Sequence, residues 1–419
     1  MSQYKYNSSD LVKDVALTDR EEFLLKESKV FCIYPWIHLH AYPTGEAFPC
    51  CHSGMKHPVG NCKSQTLKEI YHGQAMQDLR DNMLNEVASP ECQKCYEQES
   101  AGFFSGRKSA NKHHGHHIKR INDSKFAMTY WDIRFSNLCN LRCRSCGHIF
   151  SSNWYQDQAK LAGEEWRAQN QPLNYAGRWE TDMWEQLVEH IDYVEQIYFA
   201  GGEPLLMEEH YNILEELLRR GRTDVRLIYN TNFTHTDLKG RSVFEYWSKF
   251  DSVAVGASLD AMGAHAEYIR KGTDWAQIEK NRLAMIDLCP QVDFYISPTL
   301  SIFNAWHLPD FHRNWVERGL IKHQDLNVNI LQDPRYYRID IATADYKNKL
   351  IDKYQQHIDW LRPHDQLQRA TVGFQSAINF MTAADNTHLL DTFWLKTHQL
   401  DDLRYEKCVT AIPELKALQ

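Results

Sequence analysis

The chain has 419 residues, 43% apolar and 24% charged, a balance that supports one large domain and a smaller one. A net charge of −8 and a pI of about 6.2 argue against a general nucleic-acid binder, which needs a surplus of Lys and Arg to meet phosphate. No run of about 18 apolar residues occurs, and residues 1–30 lack the apolar core of a signal peptide, so a cytoplasmic protein with no membrane partner is expected.

In chain order, the first feature is a group of cysteines. Eleven cysteines are many for a cytoplasmic chain, where disulfides are rare, so close spacings read first as metal or redox chemistry. Cys32 is followed by 12 residues, Gly45, 4 residues and Cys50; Cys92 and Cys95 then form C-x2-C. A hairpin turning at Pro43-Thr44-Gly45 with a later C-x2-C loop fits a zinc ribbon on residue types alone. Cys50 and Cys51 compete for the second position, and the four-residue gap after Gly45 favours Cys50. Cys62 reads as a bystander, and Cys289 and Cys408 as buried apolar fillers. Residues 106–126, polar, basic and without apolar periodicity, read as a linker. Its four histidines are more readily solvated than ligating, because no carboxylate or cysteine lies near them in sequence.

From residue 127 short apolar or alternating runs are separated by amphipathic helical stretches. The runs are "MTYWDIRFS", "VEQIYFAGGEP", "VRLIYNTNF", "DSVAVGASLD", "VDFYISPTLSIFN" and "LNVNILQD"; "EEHYNILEELLRRGR" and "WAQIEKNRLAMIDLC" carry helical spacing. Strands alternating with helices imply a parallel sheet curling into a barrel or part of one. Alternation within the strands sets Asp132 and Arg134, Tyr198, Asp293 and Tyr295, and Asn327 and Asn329 on a polar face, so a lumen that holds polar ligands is expected. The competing reading is an antiparallel sheet with one wet face.

Cys139, Cys143 and Cys146 follow the first of these strands as C-x3-C-x2-C. A 4Fe-4S cluster normally takes four thiolates, so three leave one iron with open coordination sites. Arg142 and Arg144 would offset the charge of an anionic cluster. Zinc is the alternative, with His148 or a distant residue as fourth ligand.

This motif after the first barrel strand resembles the signature of radical S-adenosylmethionine (radical SAM) enzymes. "FAGGEPLL" looks like the family's second-strand motif, in which Gly201, Gly202, Glu203 and Pro204 hold the methionine amino group; residues without side chains let backbone carbonyls approach the ligand. By the same comparison Asn230 and Asn232 end the third strand, Ser258 and Asp260 the fourth, and Arg270 is similar to an arginine that pairs with the SAM carboxylate. Leu300 and Ile302 are candidates for contact with the adenine. Ser145 departs from the family, where the residue before the third cysteine is commonly aromatic. The resemblance implies that a reduced cluster, chelating SAM on its open iron, yields a 5′-deoxyadenosyl radical that takes hydrogen from the substrate. The cofactors implied are SAM and two 4Fe-4S clusters, with a reductant such as flavodoxin or ferredoxin as partner.

The spacing of Cys32, Cys50, Cys92 and Cys95 is similar to the auxiliary cluster module called SPASM or, in its one-cluster form, twitch, here at the N-terminal side. Four ligands would close that cluster, so electron transfer or support of the site is its expected work. The likeness covers about residues 31 to 335. The expected fold is α/β: a twitch/SPASM-like domain over 1–105, the linker at 106–126, a partial (β/α)6 radical SAM barrel over 127–334 and a helical tail over 335–419. Relatives modify peptide or protein side chains, or act on small molecules; many peptide-modifying members carry a leader-binding domain of about 80 residues, and the residues before Cys32 are too few for one. The expected substrate is a peptide, protein or amino-acid side chain. A small polar metabolite is the alternative, followed by RNA modification and a non-catalytic iron-sulfur protein.

Overall fold

The computed structural model describes residues 15–100, 104–123, 125–176 and 183–419. Residues 1–14, part of the expected N-terminal arm, and 101–103 at the edge of the expected auxiliary domain lie outside them, as does residue 124 of the expected linker. The chain divides into two compact units, Met1–Asn137, Leu173–Tyr229 and Tyr246–Val253 in the first, and Leu138–Pro172, Asn230–Glu245 and Ala254–Gln419 in the second.

In the first unit β1 (His38–Ala41) and β2 (Glu46–Phe48) form the expected hairpin. Gly45 turns it with φ +99, where a Cβ would stand 2.9 Å from Asn61 Oδ1, so both the backbone and the space require glycine. β3 (Gly60–Asn61) pairs antiparallel with β2. β4 (Tyr130–Ile133) lies parallel to β1 with His38 opposite Tyr130 and His40 opposite Asp132. A strand from the cysteine-rich segment thus extends the run expected to begin at residue 127. β6 (Gln196–Phe199) is parallel to β4, and β7 (Arg226–Thr231) to β6. Leu39, Trp131, Ile197 and Leu227 line up across these strands and are buried, forming one apolar face.

The stretch read as a linker is helical instead. Gly106–His114 is an α-helix capped by Ser105, and Gly115–Asn122 a 3-10 helix. Periodicity missed it because its buried face is polar: Arg107, Asn111 and His114. Arg107 donates to Glu99 and to the Ser28 and Phe31 carbonyls, and Asn111 Nδ2 to Phe31 O, so hydrogen bonds replace apolar burial.

In the second unit β5 (Arg142–Cys143) pairs antiparallel with β11 (Arg270–Lys271), and β10 (Val253–Ala257) parallel with β12 (Asp293–Ile296). The short strands β8 (Asp237–Leu238) and β9 (Arg241–Ser242) form a hairpin, and β13 (Thr299–Leu300) runs parallel to β14 (Asn329–Ile330). The main pairings are parallel, which removes the antiparallel alternative. The sixth expected run is reduced to β14 and a bridge from Ile296 to Leu326, because Asn327 and Asn329 are exposed. Helix Trp275–Leu288, capped by Asp274, appears where its spacing predicts. Helices Ala344–Leu361, Arg369–Ala383 and Leu390–Arg404 build the helical tail. Among the described residues no helix is long and apolar enough to cross a membrane.

Candidate metal centres

Cys139, Cys143 and Cys146 lie in a short loop of the second unit that several backbone contacts fix. The β5–β11 pairing sets Cys143 opposite Arg270, Arg144 N donates to Ile269 O (2.8 Å), Trp154 Nε1 donates to Cys143 O (2.8 Å) and Ser151 Oγ donates to Leu141 O (2.6 Å). Polar hydrogens are turned toward the sulfurs. Leu141 N lies 3.4 Å and Asn232 Nδ2 3.8 Å from Cys139 Sγ, and Arg270 Nη1 lies 3.5 Å from Cys143 Sγ. Donors aimed at sulfur suit metal-bound thiolates, which accept such bonds, better than neutral thiols. Burial raises Cys143 above the ordinary thiol range, against the opposing pull of Arg270, and burial and then Cys143 push Cys146 up to about 12. Closing these thiols on a metal therefore releases protons.

Arg270 is clamped: its Nε and Nη2 are held by the two Asp260 oxygens at 2.8 and 3.1 Å, and the remaining Nη1 faces Cys143. Asp260, 1% exposed, also accepts from Thr299 N (2.8 Å), and its carbonyl accepts from Asn304 Nδ2 (3.0 Å). Asn232 Oδ1 accepts from Thr234 N, and its Nδ2 donates to Asn140 Oδ1 at 2.9 Å. Leu300 and Ile302 are buried, and Ser258 N donates to Thr231 O. The structure thus brings Asn232, Asp260 and Arg270 to the cysteine loop.

Arg142 and Arg144 are also engaged elsewhere. Arg142 Nη1 donates to Asp157 (2.8 Å), and the buried Arg144 donates to Asp401 and Glu406 and stacks 3.7 Å over the Tyr268 ring. Their charges are met by carboxylates: Arg144 fastens the loop to the helical tail, and Arg142 ties it to Asp157 in helix Trp154–Ala162. His148 Nε2 is bonded to the Gln171 carbonyl at 2.8 Å.

The first unit gathers the other cysteine set. Burial first, then the neighbouring Cys50, Cys92 and Cys95, hold the Cys32 thiol well above its ordinary range. Burial pushes Cys50 and Cys92 up to about 12, and each is raised further by Cys95. These four thiols therefore sense one another. Cys51 does not join them in the same way: after burial, Asp132 is the main influence raising it. Cys62 responds to burial alone apart from its own backbone. In the same unit Gly201 (φ +81) and Gly202 (φ +51) turn the chain after β6, and a Cβ on Gly201 would lie 2.8 Å from the Arg134 stem. Glu203, 1% exposed, accepts from Leu205 N and caps the short helix that starts at Pro204.

Residues 32–96 match the family described as SPASM, an iron-sulfur cluster-binding domain. This chain carries a SPASM-like domain. No curated protein matches the chain. Among solved structures it is similar to hexahistidine-tagged anSMEcpe with bound AdoMet (18% identity, TM-score 0.36, covering 53% of this chain and 55% of that one). It is also similar to TYW1 with a lysine-pyruvate adduct bound (12%, 0.29, 56% and 70%) and to Streptococcus suis SuiB bound to S-adenosylmethionine (14%, 0.33, 70% and 61%). The chain spans about half the length of the first of these.

The polar face of the first unit's sheet keeps a charged group. Asp132, fully buried, has His40 Nδ1 3.0 Å from Oδ2 and Arg134 Nε 3.5 Å from Oδ1. Burial works against its charge, but His40 and Arg134 outweigh this and hold the carboxyl far below its usual range. Burial lowers the nearby His38 to about 4. The register sets Tyr198 on the same face. In the second unit Gly256 lies between Asn230 and Tyr295: a Cβ there would be 2.9 Å from Asn230 Oδ1 and 3.0 Å from Tyr295 Oη. Asp293 and Tyr295 are half-buried on β12, whereas Asn327 and Asn329 are exposed, with Asn329 Nδ2 donating to Ser297 Oγ. Sequence reasoning missed His40, Asn304 and Gly256. His40 lies outside the alternating run that flagged Asp132, and Gly256 gives no signal until its neighbours are known.

Proposed function

We propose that this protein is an enzyme that binds a 4Fe-4S cluster on Cys139, Cys143 and Cys146, docks S-adenosylmethionine on it and abstracts hydrogen from a peptide, protein or amino-acid side chain. The observation that carries this reading is the three-cysteine loop with Leu141 N, Asn232 and Arg270 turned to its sulfurs. When bound, the reduced cluster and SAM supply the 5′-deoxyadenosyl radical that takes the hydrogen atom. Arg270 Nη1 stabilises the Cys143 thiolate while Asp260 fixes the guanidinium, and Asn232 does the same for Cys139. Asn230, Ser258, Leu300 and Ile302, in the same unit as the cysteine loop, would serve the SAM molecule.

Cys32, Cys50, Cys92 and Cys95 would hold a second, auxiliary 4Fe-4S cluster, which would supply an electron-transfer centre, and a flavodoxin- or ferredoxin-type protein would be the reductant. Asp132, Arg134 and His40 present both charge signs at one buried place, which suits a substrate with an amino and a carboxyl or amide group. The same pair favours a second reading, a small zwitterionic metabolite. The test is anaerobic 5′-deoxyadenosine formation by reconstituted protein given host extract split by ultrafiltration. Stimulation by the macromolecular fraction, abolished by Cys139→Ala, supports the first reading. Stimulation by the filtrate alone moves the assignment to a metabolite.

A further inference from the structure

The histidine-rich stretch lies outside both cysteine sets, and its sequence offers no partner. The fold supplies one. The 3-10 helix Gly115–Asn122 presents His116 and His117 side by side, with ring centroids 4.0 Å apart, and each Nε2 reaches the same oxygen of Glu195, at 3.1 and 3.0 Å. Glu195 comes 78 residues after His117, immediately before β6. Its backbone is fixed there by Glu195 N to Thr129 O (2.8 Å) and by Arg226 N to Glu195 O (2.9 Å). The neighbouring His114 faces elsewhere, stacked on Tyr130 at 5.3 Å.

Two of the three separations are close to those of a coordination polyhedron. Ligands about 2.0–2.1 Å from a tetrahedral zinc stand about 3.3 Å from one another, and here the three candidate ligand atoms all lie within 4.8 Å, two of their separations near 3 Å. An ion can replace the imidazole protons shared with the carboxylate once the side chains adjust to it. Two imidazole nitrogens and one carboxylate oxygen form a donor set suited to zinc and its neighbours in the first transition row. The side chains are 23%, 12% and 48% exposed for His116, His117 and Glu195, which leaves a fourth position open to water.

We propose that His116, His117 and Glu195 form a divalent-metal site, of zinc type, separate from the iron-sulfur centres. The ion clips the helical segment 106–122 to the strand that leads into the Gly201-Gly202 turn, so its role is structural. His116 Nδ1 is buried without a hydrogen-bond partner. The site therefore lacks one of the outer contacts that usually orient a ligand imidazole, and binding about 10–100-fold weaker than in a fully supported site is expected.

The test uses the full chain with its clusters reconstituted, stripped of other metals by chelator and equilibrated by dialysis with Zn²⁺. Metal content is read by mass spectrometry and tryptic cleavage after Lys119 and Arg120 is followed in parallel. The wild type is expected to hold one zinc per chain and to be cleaved more slowly with zinc. Glu195→Gln and His117→Ala are each expected to weaken binding at least about tenfold and to lose the protection, with iron content unchanged as the control for folding. A Cys92→Ala/Cys95→Ala variant should keep the zinc. The proposal is overturned if the wild type takes up no zinc, if Glu195→Gln and His117→Ala bind it equally well, or if only the cysteine variant loses it.

Discussion

Asp401→Ala tests how the helical tail holds the cysteine loop. Asp401, 4% exposed, accepts from Arg144 Nη2 (2.5 Å), Tyr268 Oη (2.8 Å) and Cys408 N (2.6 Å). Removing it leaves Arg144, whose side chain is fully buried, with Glu406 as its remaining carboxylate at 2.8 Å. It also takes the acceptor from Tyr268 and Cys408. Breaking a buried ion pair from one side costs about 3–5 kcal/mol, and Glu406 offsets part of this, so about 3 kcal/mol is expected. Asp401→Asn keeps one oxygen, which can accept from Tyr268 Oη or from Cys408 N but not from both because these bond different oxygens, and it should cost less than Asp401→Ala. The assay is urea unfolding, with hydrogen exchange at 142–146 and 390–404 reporting where protection is lost. Iron reconstituted on the proposed site should fall as well, because Arg144 sits in sequence between Cys143 and Cys146. A loss below about 1 kcal/mol with unchanged exchange in the loop would refute the anchoring argument.

Cys50→Ala should remove the iron of the auxiliary set, measured by iron analysis in a Cys139→Ala background, whereas Cys51→Ala should retain it. Gly256→Ala places a methyl against Asn230 and Tyr295 and is expected to cost about 1–3 kcal/mol, seen as a lowered unfolding midpoint. His312 and His357 are in contact (Nδ1 to Nε2, 3.0 Å), and burial lowers them to about 3 and about 2. Both stay neutral in the folded chain and protonate in the unfolded one below about pH 6.5. Their contribution is therefore complete above that pH and is lost toward pH 3, at about 1.4 kcal/mol per pH unit per histidine. His312→Gln should remove about half of that slope in unfolding measured from pH 7 to 4.

Much of this was legible where residue type and spacing act locally. The C-x3-C-x2-C loop, the Gly45 hairpin and helix Trp275–Leu288 need only nearby residues, and sequence patterns report local geometry. The opposite holds for the 106–122 segment, whose buried face is Arg107, Asn111 and His114 satisfied by carbonyls and carboxylate from other segments. Apolar periodicity cannot register such a face. The Arg142 and Arg144 charges were visible, but their partners Asp157, Asp401 and Glu406 are distant in sequence, so the two arginines read as cluster neighbours until the fold placed carboxylates on them. Arg270 likewise was found by motif, while its Asp260 clamp and the Nη1 left for Cys143 are properties of packing.

The central claim is that the loop at Cys139, Cys143 and Cys146 carries a cluster with a coordination site open to S-adenosylmethionine. The direct measurement is electron paramagnetic resonance of the dithionite-reduced Cys50→Ala/Cys92→Ala variant, from which the auxiliary cluster is absent, recorded with and without S-adenosylmethionine. The account predicts a reduced 4Fe-4S signal that changes shape when S-adenosylmethionine is added and disappears when Cys143→Ala is introduced. A signal indifferent to S-adenosylmethionine, or one that survives Cys143→Ala, would contradict it.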